Sequence, residues 1–472
     1  PKGNTTLLVP RTVCAKGQKP SLCFLNITDN PVKIPKGDEV GYTQEVSVIQ
    51  SMDEEPVPSV GTCTTPSTVE KGSPKSGIPS HIKDLYEDSC SILSTSQKTQ
   101  LRQLLIKYKD VFAKEDFDLG SFSAIEHTID TGEAKPIQHR MRRTPACFVD
   151  EEEAHLQKML DAGVIQPSMS EWASAPVLIR KKDGGVRWCI DYRKLNSVTS
   201  RDLFPLPLID ECLDTLSGNI WYSKLDANSA YWQINIKPED RKKTAFVTKY
   251  GLFECVKMAF GLCNAPGTYA RVMNLVLRGL TWKTVLAFLD DILVLGASFA
   301  EHLQNLEDVF KRFRDYGLKL KPKKCALFKT SVEFLGRSVS TKGLKIGQQH
   351  LQPVSGWAVP TCTKDVERFL GFVNYHRSFI KDYAKISAPL YEVTGKKPFF
   401  WTHQRQLAFD TLKHKLTVAP VLALPNNTDR FILDTDASQN AIGAELIQVQ
   451  NGRERTIAYG SFIMAPEQKN HC

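Results

Sequence analysis

The stretch from Val285 to Leu295 constrains the fold of this chain more than any other part of the sequence. Two apolar runs, each as long as a strand, flank a bare pair of acids, Asp290 and Asp291. Strands that are apolar on both faces are buried on both faces, so the stretch predicts a hairpin within a core. Adjacent carboxylates at its tip would repel each other and resist desolvation, and a divalent cation would relieve that cost. A solvated Asp-Asp turn is the alternative on this stretch alone.

A third acid, Asp226, ends a largely apolar strand that starts near Trp221 and precedes a small polar turn. Three carboxylates at neighbouring strand ends could hold two Mg²⁺ ions, because Mg²⁺ prefers oxygen ligands and keeps substrate phosphates in its shell. Two such ions can activate an attacking hydroxyl and stabilise a leaving pyrophosphate. The spacing alone does not show that the three acids meet.

Composition sets wider limits on the class of protein. A length of 472 residues suggests about three domains, and the 42% hydrophobic and 24% charged content is ordinary for a globular chain. No stretch approaches 18 apolar residues, so we expect no membrane span. The twelve cysteines are scattered without a C-x-x-C pair, which favours reduced thiols over a disulfide scaffold or a zinc site.

Several segments follow one another in the order typical of reverse transcriptases. Phe288–Asp291 resembles the Y/F-x-D-D motif, and Leu225–Ile234 resembles L-D-L-x-S-G-Y-x-Q-I. The similarity covers residues 125–345 and is greatest to Pol polyproteins of gypsy-class long-terminal-repeat retrotransposons. The other matching segments are Arg187–Asn196, Lys243–Phe246, Met258–Pro266 and Glu333–Gly336.

This resemblance implies an α+β fold in which a right-hand polymerase of fingers, palm and thumb surrounds a mixed palm sheet. A small β module would precede it, and a truncated ribonuclease H-like α/β domain would follow. The implied parts are a small β module (1–50), a disordered linker rich in Pro, Ser and Thr (51–80), a helical lead-in (81–135), fingers and palm (136–300), a thumb (301–355), a connection or tether (356–426) and the partial ribonuclease H-like domain (427–472).

The resemblance also implies roles for individual residues. Asp226, Asp290 and Asp291 match the catalytic, metal-binding triad, which would hold two Mg²⁺ ions, with Mn²⁺ as a substitute. Tyr231 falls at the position where a flat ring would clash with a 2′-hydroxyl. The implied nucleotide-binding residues are Lys181, Arg187, Tyr231 and Phe260; the implied primer and template contacts are Phe334, Leu335, Gly336, Lys321, Lys323 and Lys324; the implied ribonuclease H residue is Asp436.

Residues 311–345 hold eleven Lys and Arg against two acids, a balance of +9 that equals the formal charge of the whole chain. A charge run is usually a solvated face. Because this one follows a polymerase-like palm, we predict that it lies in a thumb that tracks the phosphates of a template–primer duplex.

The function implied is RNA-directed and DNA-directed DNA synthesis. The implied partners are an RNA template, a DNA primer, their hybrid, deoxynucleoside triphosphates and other parts of a Pol polyprotein, in the cytoplasm within a virus-like particle or in the nucleus. The abrupt start and the end at Cys472 suggest a piece of a longer protein, whose missing carboxylates would leave ribonuclease H inactive. A decayed or co-opted nucleic-acid-binding protein is the alternative, since Ala227, Ala230 and Ala259 depart from the family pattern.

One triplet points elsewhere. Asp130-Thr-Gly132 matches the D-T-G of aspartic proteases, but Glu-Ala-Lys-Pro follows it instead of the small and apolar flanks that such a site needs. The triplet also resembles the segment just before the polymerase in these elements, and we favour that interpretation.

Overall fold

The computed structural model describes two short N-terminal pieces and most of the chain from residue 77 to residue 464. Within that span it leaves out residues 142, 144, 181–185, 206 and 439–440. The N-terminal pieces are β1 (Leu7–Leu8) and β2 (Leu25–Asn26), which pair antiparallel. The rest of the predicted small β module and residues 51–76 of the predicted linker lie outside the described residues.

The helices and strands of the main unit alternate without a simple repeat. The helices are α1 (Ser80–Ser89), α2 (Thr95–Lys107), α3 (Val149–Asp161), α4 (Arg193–Val198), α5 (Ile209–Asp214), α6 (Pro238–Arg241), α7 (Ala265–Val276), α8 (Phe299–Asp315), α9 (Gln348–Ser355), α10 (Thr363–Tyr375), α11 (Tyr383–Tyr391) and α12 (His403–Thr417). The strands are β3 (Phe122–His127), β4 (Ile165–Pro167), β5 (Pro176–Arg180), β6 (Val186–Ile190), β7 (Trp221–Asp226), β8 (Ile234–Ile236), β9 (Phe246–Thr248), β10 (Gly251–Cys255), β11 (Val285–Phe288), β12 (Asp291–Gly296), β13 (Ala326–Lys329), β14 (Ser331–Phe334), β15 (Arg337–Ser340), β16 (Gly343–Ile346), β17 (Phe431–Ala437), β18 (Ala441–Gln450) and β19 (Arg453–Ile463).

Two helices begin at sequence patterns that favour a helix start: the capping-box pattern Ser94-x-x-Gln97 for α2 and the acidic run Asp150–Glu153 for α3. The Ser94 hydroxyl accepts a hydrogen bond from the Gln97 amide, and the Gln97 side chain accepts one from the Ser94 amide at 2.9 Å. This capping box satisfies two backbone donors that α2 would otherwise leave unpaired. The first turn of α3 carries three acids, where the positive end of the helix dipole favours them. No helix among the described residues is long and apolar enough to span a membrane.

The central sheet has the strand order β11-β12-β7-β13, and every pairing in it is antiparallel. The expected mixed palm sheet is therefore wrong in this respect. Side chains alternate along each strand, so Ile292 packs into one hydrophobic core and Leu293 into another on the opposite face. The prediction that the strands around the acids are buried on both faces is confirmed.

The two cores use different parts of the chain. The first core packs the sheet against α2, α7 and α8, with Phe310 and Tyr269 almost fully buried. The second core packs the opposite face against α5, α10, α12 and the small sheet β14-β15-β16. The central strands are thus packed on both faces, and each core combines segments that precede them with segments that follow them in the sequence.

Residues 165–255 contain two smaller β structures. Strands β4, β10 and β9 form one antiparallel sheet, and β5 pairs with β6 so that Arg180 lies opposite Val186. The sequence Asp183-Gly184-Gly185 is typical of a hairpin turn and predicts a hairpin here. The β5–β6 pairing confirms it, while the turn itself lies outside the described residues.

The segment 301–355, predicted as a thumb, divides between two places. Helix α8 packs into the first core with β7 and β12, and β13 joins the central sheet beside β7. Strands β14 to β16 and helix α9 belong instead to the second core. The first half of this segment therefore packs with the central sheet, and the bounds of the thumb stay a prediction.

Near the C-terminus, β17, β18 and β19 form a three-stranded antiparallel sheet. Most of β17 is exposed to solvent, including Leu433 at 64% and Asp436. Residues around α11 contact this sheet, where the Ala384 amide donates to the Ser461 hydroxyl at 2.9 Å.

Candidate active site

The predicted hairpin places two acids at the end of the palm sheet. Phe288 pairs with Asp291, and the turn between them consists of Leu289 and Asp290. Leu289 has a φ of +51°. Glycine is usual at the first central position of such a turn, so leucine there stores strain on the order of 1–3 kcal/mol. The neighbouring packed strands hold this strained conformation at the point where the acids project.

Asp226 completes the cluster from the next strand. The register of β7 and β12 sets Asp226 directly opposite Asp291. Side chains at directly opposed positions have Cβ atoms about 5 Å apart. The structure therefore brings together the three acids that the sequence singled out but could not connect.

Burial, together with the neighbouring negative charges, raises the pKa of two acids of the cluster. Burial raises the pKa of Asp226 above its usual value, in spite of the nearby Lys324 ammonium. Asp290 is more exposed, yet the protein atoms around its carboxyl group, followed by the charges of Asp226 and Asp291, raise its pKa as well. The cluster therefore favours any cation that reduces its negative charge.

Two lysines already supply positive charge to the cluster. Lys224 Nζ lies 2.7 Å from Asp291 Oδ1, and Lys324 Nζ lies 3.4 Å from Asp226 Oδ2. Lys224 was not among the residues predicted from the sequence. It could have been found from the two-residue period of a strand, which puts positions 224 and 226 on the same face of β7.

The chemistry of the donors suits Mg²⁺, which prefers carboxylate oxygens. Among the described residues, no three His, Cys, Asp or Glu side chains are arranged as a ready metal site. At the hairpin, two of the three carboxylates face ammonium groups instead. The residue types and the strand register fit a divalent ion, and binding one requires these ion pairs to open.

A wall of aromatic rings lies beside the acids. The ring centroids of Tyr231 and Phe260 are 4.9 Å apart, and those of Tyr231 and Tyr269 are 5.7 Å apart. Burial, with a further contribution from Asp290, raises the pKa of Tyr231 to about 12, so its hydroxyl stays neutral at physiological pH. The structure thus joins two of the four predicted nucleotide-binding residues to the triad. Lys181 lies outside the described residues, and Arg187 is described only as a backbone position in β6.

The predicted primer-contacting segment forms the turn between β14 and β15. Leu335 and Gly336 both have positive φ, as a type I′ turn requires, and Phe334 pairs with Arg337 across it. The Phe334 side chain is buried in the second core, so a primer can meet this turn only through its backbone and its outer side chains. A Cβ atom at Gly336 would lie 2.6 Å from the His350 ring, which leaves no room for a larger residue.

Groups on the helices that follow hold the turn from behind. The Tyr375 hydroxyl donates to the Leu335 carbonyl at 2.7 Å, and the Gly347 amide donates to the Gly336 carbonyl at 3.0 Å. The buried Arg337 guanidinium donates to His376 Nδ1 at 2.6 Å. Burial and the Arg337 charge lower the pKa of His376 to about 3, so His376 is a neutral acceptor. Tyr375 and His376 were not predicted, because they lie about 40 positions from the turn and only the fold brings them there.

The basic segment 311–345 is less free than its composition suggested. Arg314 pairs with Asp110, Lys319 with Asp118, and Lys321 with Asp116. Lys324 faces Asp226, whereas Lys323 is exposed. Three of the eleven basic side chains are therefore paired with acids of the predicted lead-in, so these three are not free to track phosphates. That the remaining basic residues contact a duplex stays a prediction.

The residues that depart from the family pattern are packing residues. Ala227, Ala230 and Ala259 are all at least 94% buried and belong to the first core. Asp130, in the D-T-G triplet, accepts a hydrogen bond from the Gly132 amide at 2.9 Å, which makes the triplet a tight turn after β3.

Comparison with known proteins identifies the families of two segments. Residues 179–339 match the family "Reverse transcriptase (RNA-dependent DNA polymerase)", and this range contains the triad, Tyr231, Phe260 and the primer turn. Residues 179–339 are a reverse transcriptase domain. Residues 401–472 match the "RNase H-like domain found in reverse transcriptase", so the match starts at α12, ahead of the boundary at 427 that the sequence suggested.

The curated relatives of this chain are longer Pol polyproteins. The chain is 33% identical over 380 residues to the retrovirus-related Pol polyprotein from transposon 412 of Drosophila melanogaster, covering 79% of this chain and 31% of that protein. For transposon 297 of the same species the values are 35% over 363 residues, 75% and 34%. The chain thus spans about a third of the length of these relatives. The predicted resemblance to retrotransposon Pol polyproteins is confirmed.

Solved structures agree on the fold. A foamy viral protease-reverse transcriptase in complex with double-stranded DNA superposes with a TM-score of 0.75 at 22% identity, covering 82% of this chain and 68% of that one. The same type of enzyme in complex with an RNA/DNA hybrid gives a TM-score of 0.71, with coverages of 82% and 52%. The predicted right-hand polymerase fold is confirmed.

Proposed function

We propose that this chain is an RNA-directed and DNA-directed DNA polymerase that copies a retroelement into DNA. The observation that carries the proposal is the register of the palm sheet, which sets Asp226 opposite Asp291 with Asp290 in the adjoining turn. The aromatic wall of Tyr231 and Phe260 lies beside this cluster, where an incoming nucleotide needs a floor. Acids that gather next to such a wall suit nucleotidyl transfer.

The three carboxylates would hold two Mg²⁺ ions, or Mn²⁺ in their place. When bound, the ions activate the primer 3′-hydroxyl and stabilise the leaving pyrophosphate. The chain's own residues select and orient the reactants. We expect the Tyr231 ring to exclude a 2′-hydroxyl, Phe260 to support the nucleotide, and Lys181 and Arg187 to bind the triphosphate through charge-assisted hydrogen bonds.

The proposed partners are an RNA template, a DNA primer, the hybrid they form and deoxynucleoside triphosphates. Support comes from the foamy viral structures in complex with double-stranded DNA and with an RNA/DNA hybrid. Within this chain, the turn at Leu335 and Gly336 and the exposed Lys323 are the groups best placed to meet a duplex. As a part of a polyprotein, the chain would work beside other Pol segments in a cytoplasmic particle or in the nucleus.

Ribonuclease H activity is not part of the proposal. Asp436 is exposed on β17, and the sheet register sets Gly443 directly opposite it, whereas Asp226 has a second acid opposite it. We predict that the purified chain does not cleave RNA in an RNA–DNA hybrid with Mg²⁺, and appearance of cleavage products would reject this.

Primer extension on poly(rA)/oligo(dT) with Mg²⁺ tests the polymerase. Asp290→Asn is expected to lower the extension rate by at least about a hundredfold, because it removes a charged ligand at the reacting centre. Duplex affinity, measured by fluorescence anisotropy without Mg²⁺, should stay close to that of the wild type. Asp84→Asn, in an exposed part of α1, is the matched control and should extend normally.

The same assay decides between an active enzyme and a decayed or co-opted nucleic-acid-binding protein. A wild-type chain that binds the duplex but adds no nucleotide would favour the second function. The tight burial of the three alanines speaks for an intact polymerase core, since their small side chains are accommodated by close packing.

A further inference from the structure

Lys224 occupies an unusual position for a charged residue. It lies on β7 between the fully buried Tyr222 and the catalytic Asp226, and all three side chains share one face of the strand. Its partner Asp291 lies diagonally across the sheet, at a distance that only a long side chain spans. The side chains of Lys224 and Asp291 are 28% and 34% exposed, so solvent screens this pair only in part.

The ammonium group of Lys224 has a second partner. Its Nζ lies 2.7 Å from Asp291 Oδ1 and donates to the Glu333 carbonyl oxygen at 3.4 Å. Glu333 precedes Phe334 at the start of the primer turn. Lys224 therefore bridges a catalytic carboxylate and the backbone that leads into the primer turn.

The second lysine at the cluster is held more loosely. Lys324 reaches Asp226 at 3.4 Å, and its side chain is 60% exposed. Because a longer and more exposed ion pair is more strongly screened, Lys224 is the stronger of the two counter-charges.

We infer that Lys224 is a positioning residue that serves as a built-in counter-cation of the active site. It neutralises and orients Asp291 while no divalent ion is bound, and it leaves Asp291 when an ion binds. The Glu333 carbonyl then remains as its partner beside the primer turn. The inference rests on the proposed function, because it takes Asp291 to be a metal ligand.

A testable consequence is competition between the ammonium group and the ion for the same carboxylate. Removing the charge of Lys224 should strengthen divalent-ion binding, although it takes away a contact of the site. A residue that only packs the strand would leave ion affinity unchanged or weaken it through disorder. The sign of the change therefore separates the two roles.

The experiment titrates Mn²⁺ into the whole chain without nucleic acid and measures free Mn²⁺ by electron paramagnetic resonance. Lys224→Met should lower the half-saturating Mn²⁺ concentration by about tenfold, the order expected for losing one positive charge near the ion in a partly screened site. Lys224→Arg, which keeps the charge, should bind as the wild type does. Lys283→Met, at an exposed position before β11 and away from the hairpin tip, is the matched control and should change nothing.

The outcomes separate the inference from the function on which it rests. Equal or weaker Mn²⁺ binding by a folded Lys224→Met chain overturns the inference alone. A wild-type chain whose Mn²⁺ binding is absent, or is unaffected by Asp290→Asn, contradicts the proposed function and the inference with it. If Lys224→Met does not fold by circular dichroism, Lys224→Gln removes the charge while keeping a donor for the Glu333 carbonyl, and the same criteria apply.

Discussion

Two sheets of this molecule carry aspartates that the sequence analysis singled out, and the sheets differ in how deeply they are buried. The palm sheet is buried between two hydrophobic cores, and only its ends reach solvent with Asp226, Asp290 and Asp291. The C-terminal sheet leaves most of β17 exposed, so Asp436 stands in open solvent. A matching acid becomes part of a cluster only where neighbouring strands and packed layers bring further acids to it.

The largest difference between the two sheets is expected in how much their side chains contribute to stability. Leu293→Ala removes a fully buried side chain of β12, and it should lower the free energy of unfolding by about 2–5 kcal/mol. Leu433→Ala removes the same side chain from an exposed position on β17, and it should change stability by less than about 0.5 kcal/mol. Urea unfolding of both variants measures the difference. Similar losses would show that β17 is covered in solution.

A smaller effect is expected at two exposed aromatic residues. Phe260 and Phe462 are 48% and 57% exposed, but only Phe260 lies against Tyr231 beside the triad. Phe260→Ala should raise the KM for deoxynucleoside triphosphates by about tenfold, since a base or sugar loses one ring contact. Phe462→Ala should leave the steady-state kinetics of primer extension unchanged. A loss of activity with Phe462→Ala alone would show that the C-terminal sheet, rather than the aromatic wall beside the triad, contacts the nucleotide.

The smallest effect concerns charge and pH. The pKa of Asp290 is raised in the folded chain, so its contribution to stability is present at low pH and is lost as the pH rises through the folded pKa. Asp290→Asn should therefore raise the melting temperature at pH 7 without metal, on the order of 1 °C because the group is exposed. The gain should shrink as the pH falls through the folded pKa of Asp290, because the wild-type carboxyl then becomes protonated.

The control for this pH effect is Asp436→Asn, which removes an acid from the exposed strand. It should leave the melting temperature unchanged across the same pH range. A lower melting temperature for Asp290→Asn at pH 7 would mean that the triad is not under electrostatic strain.

The sequence predicted correctly those structures that depend on interactions between neighbouring residues. The hairpin at Asp290 and Asp291, the capping box at Ser94 and the β5–β6 pairing each depend on a few consecutive residues. The triad needed one further fact, the register between β7 and β12, which spacing along the chain does not contain. The motif resemblance supplied that fact in advance.

Distant pairing explains most of what sequence reasoning missed. The charge of Lys319 and Lys321 suggested a free basic surface, yet their acidic partners lie about 200 residues earlier. The antiparallel order of the palm sheet was likewise invisible, because β7 and β13 are about 100 residues apart. Lys224 could have been found from strand alternation, because it lies two residues before Asp226 and therefore on the same face of β7.

The turn at Leu335 and Gly336 has a mechanical consequence. Its carbonyl groups are tied to Tyr375 at the end of α10 and to Gly347 at the start of α9, with no flexible loop in between. A shift of either helix would therefore displace the turn as well, because the hydrogen bonds connect them directly.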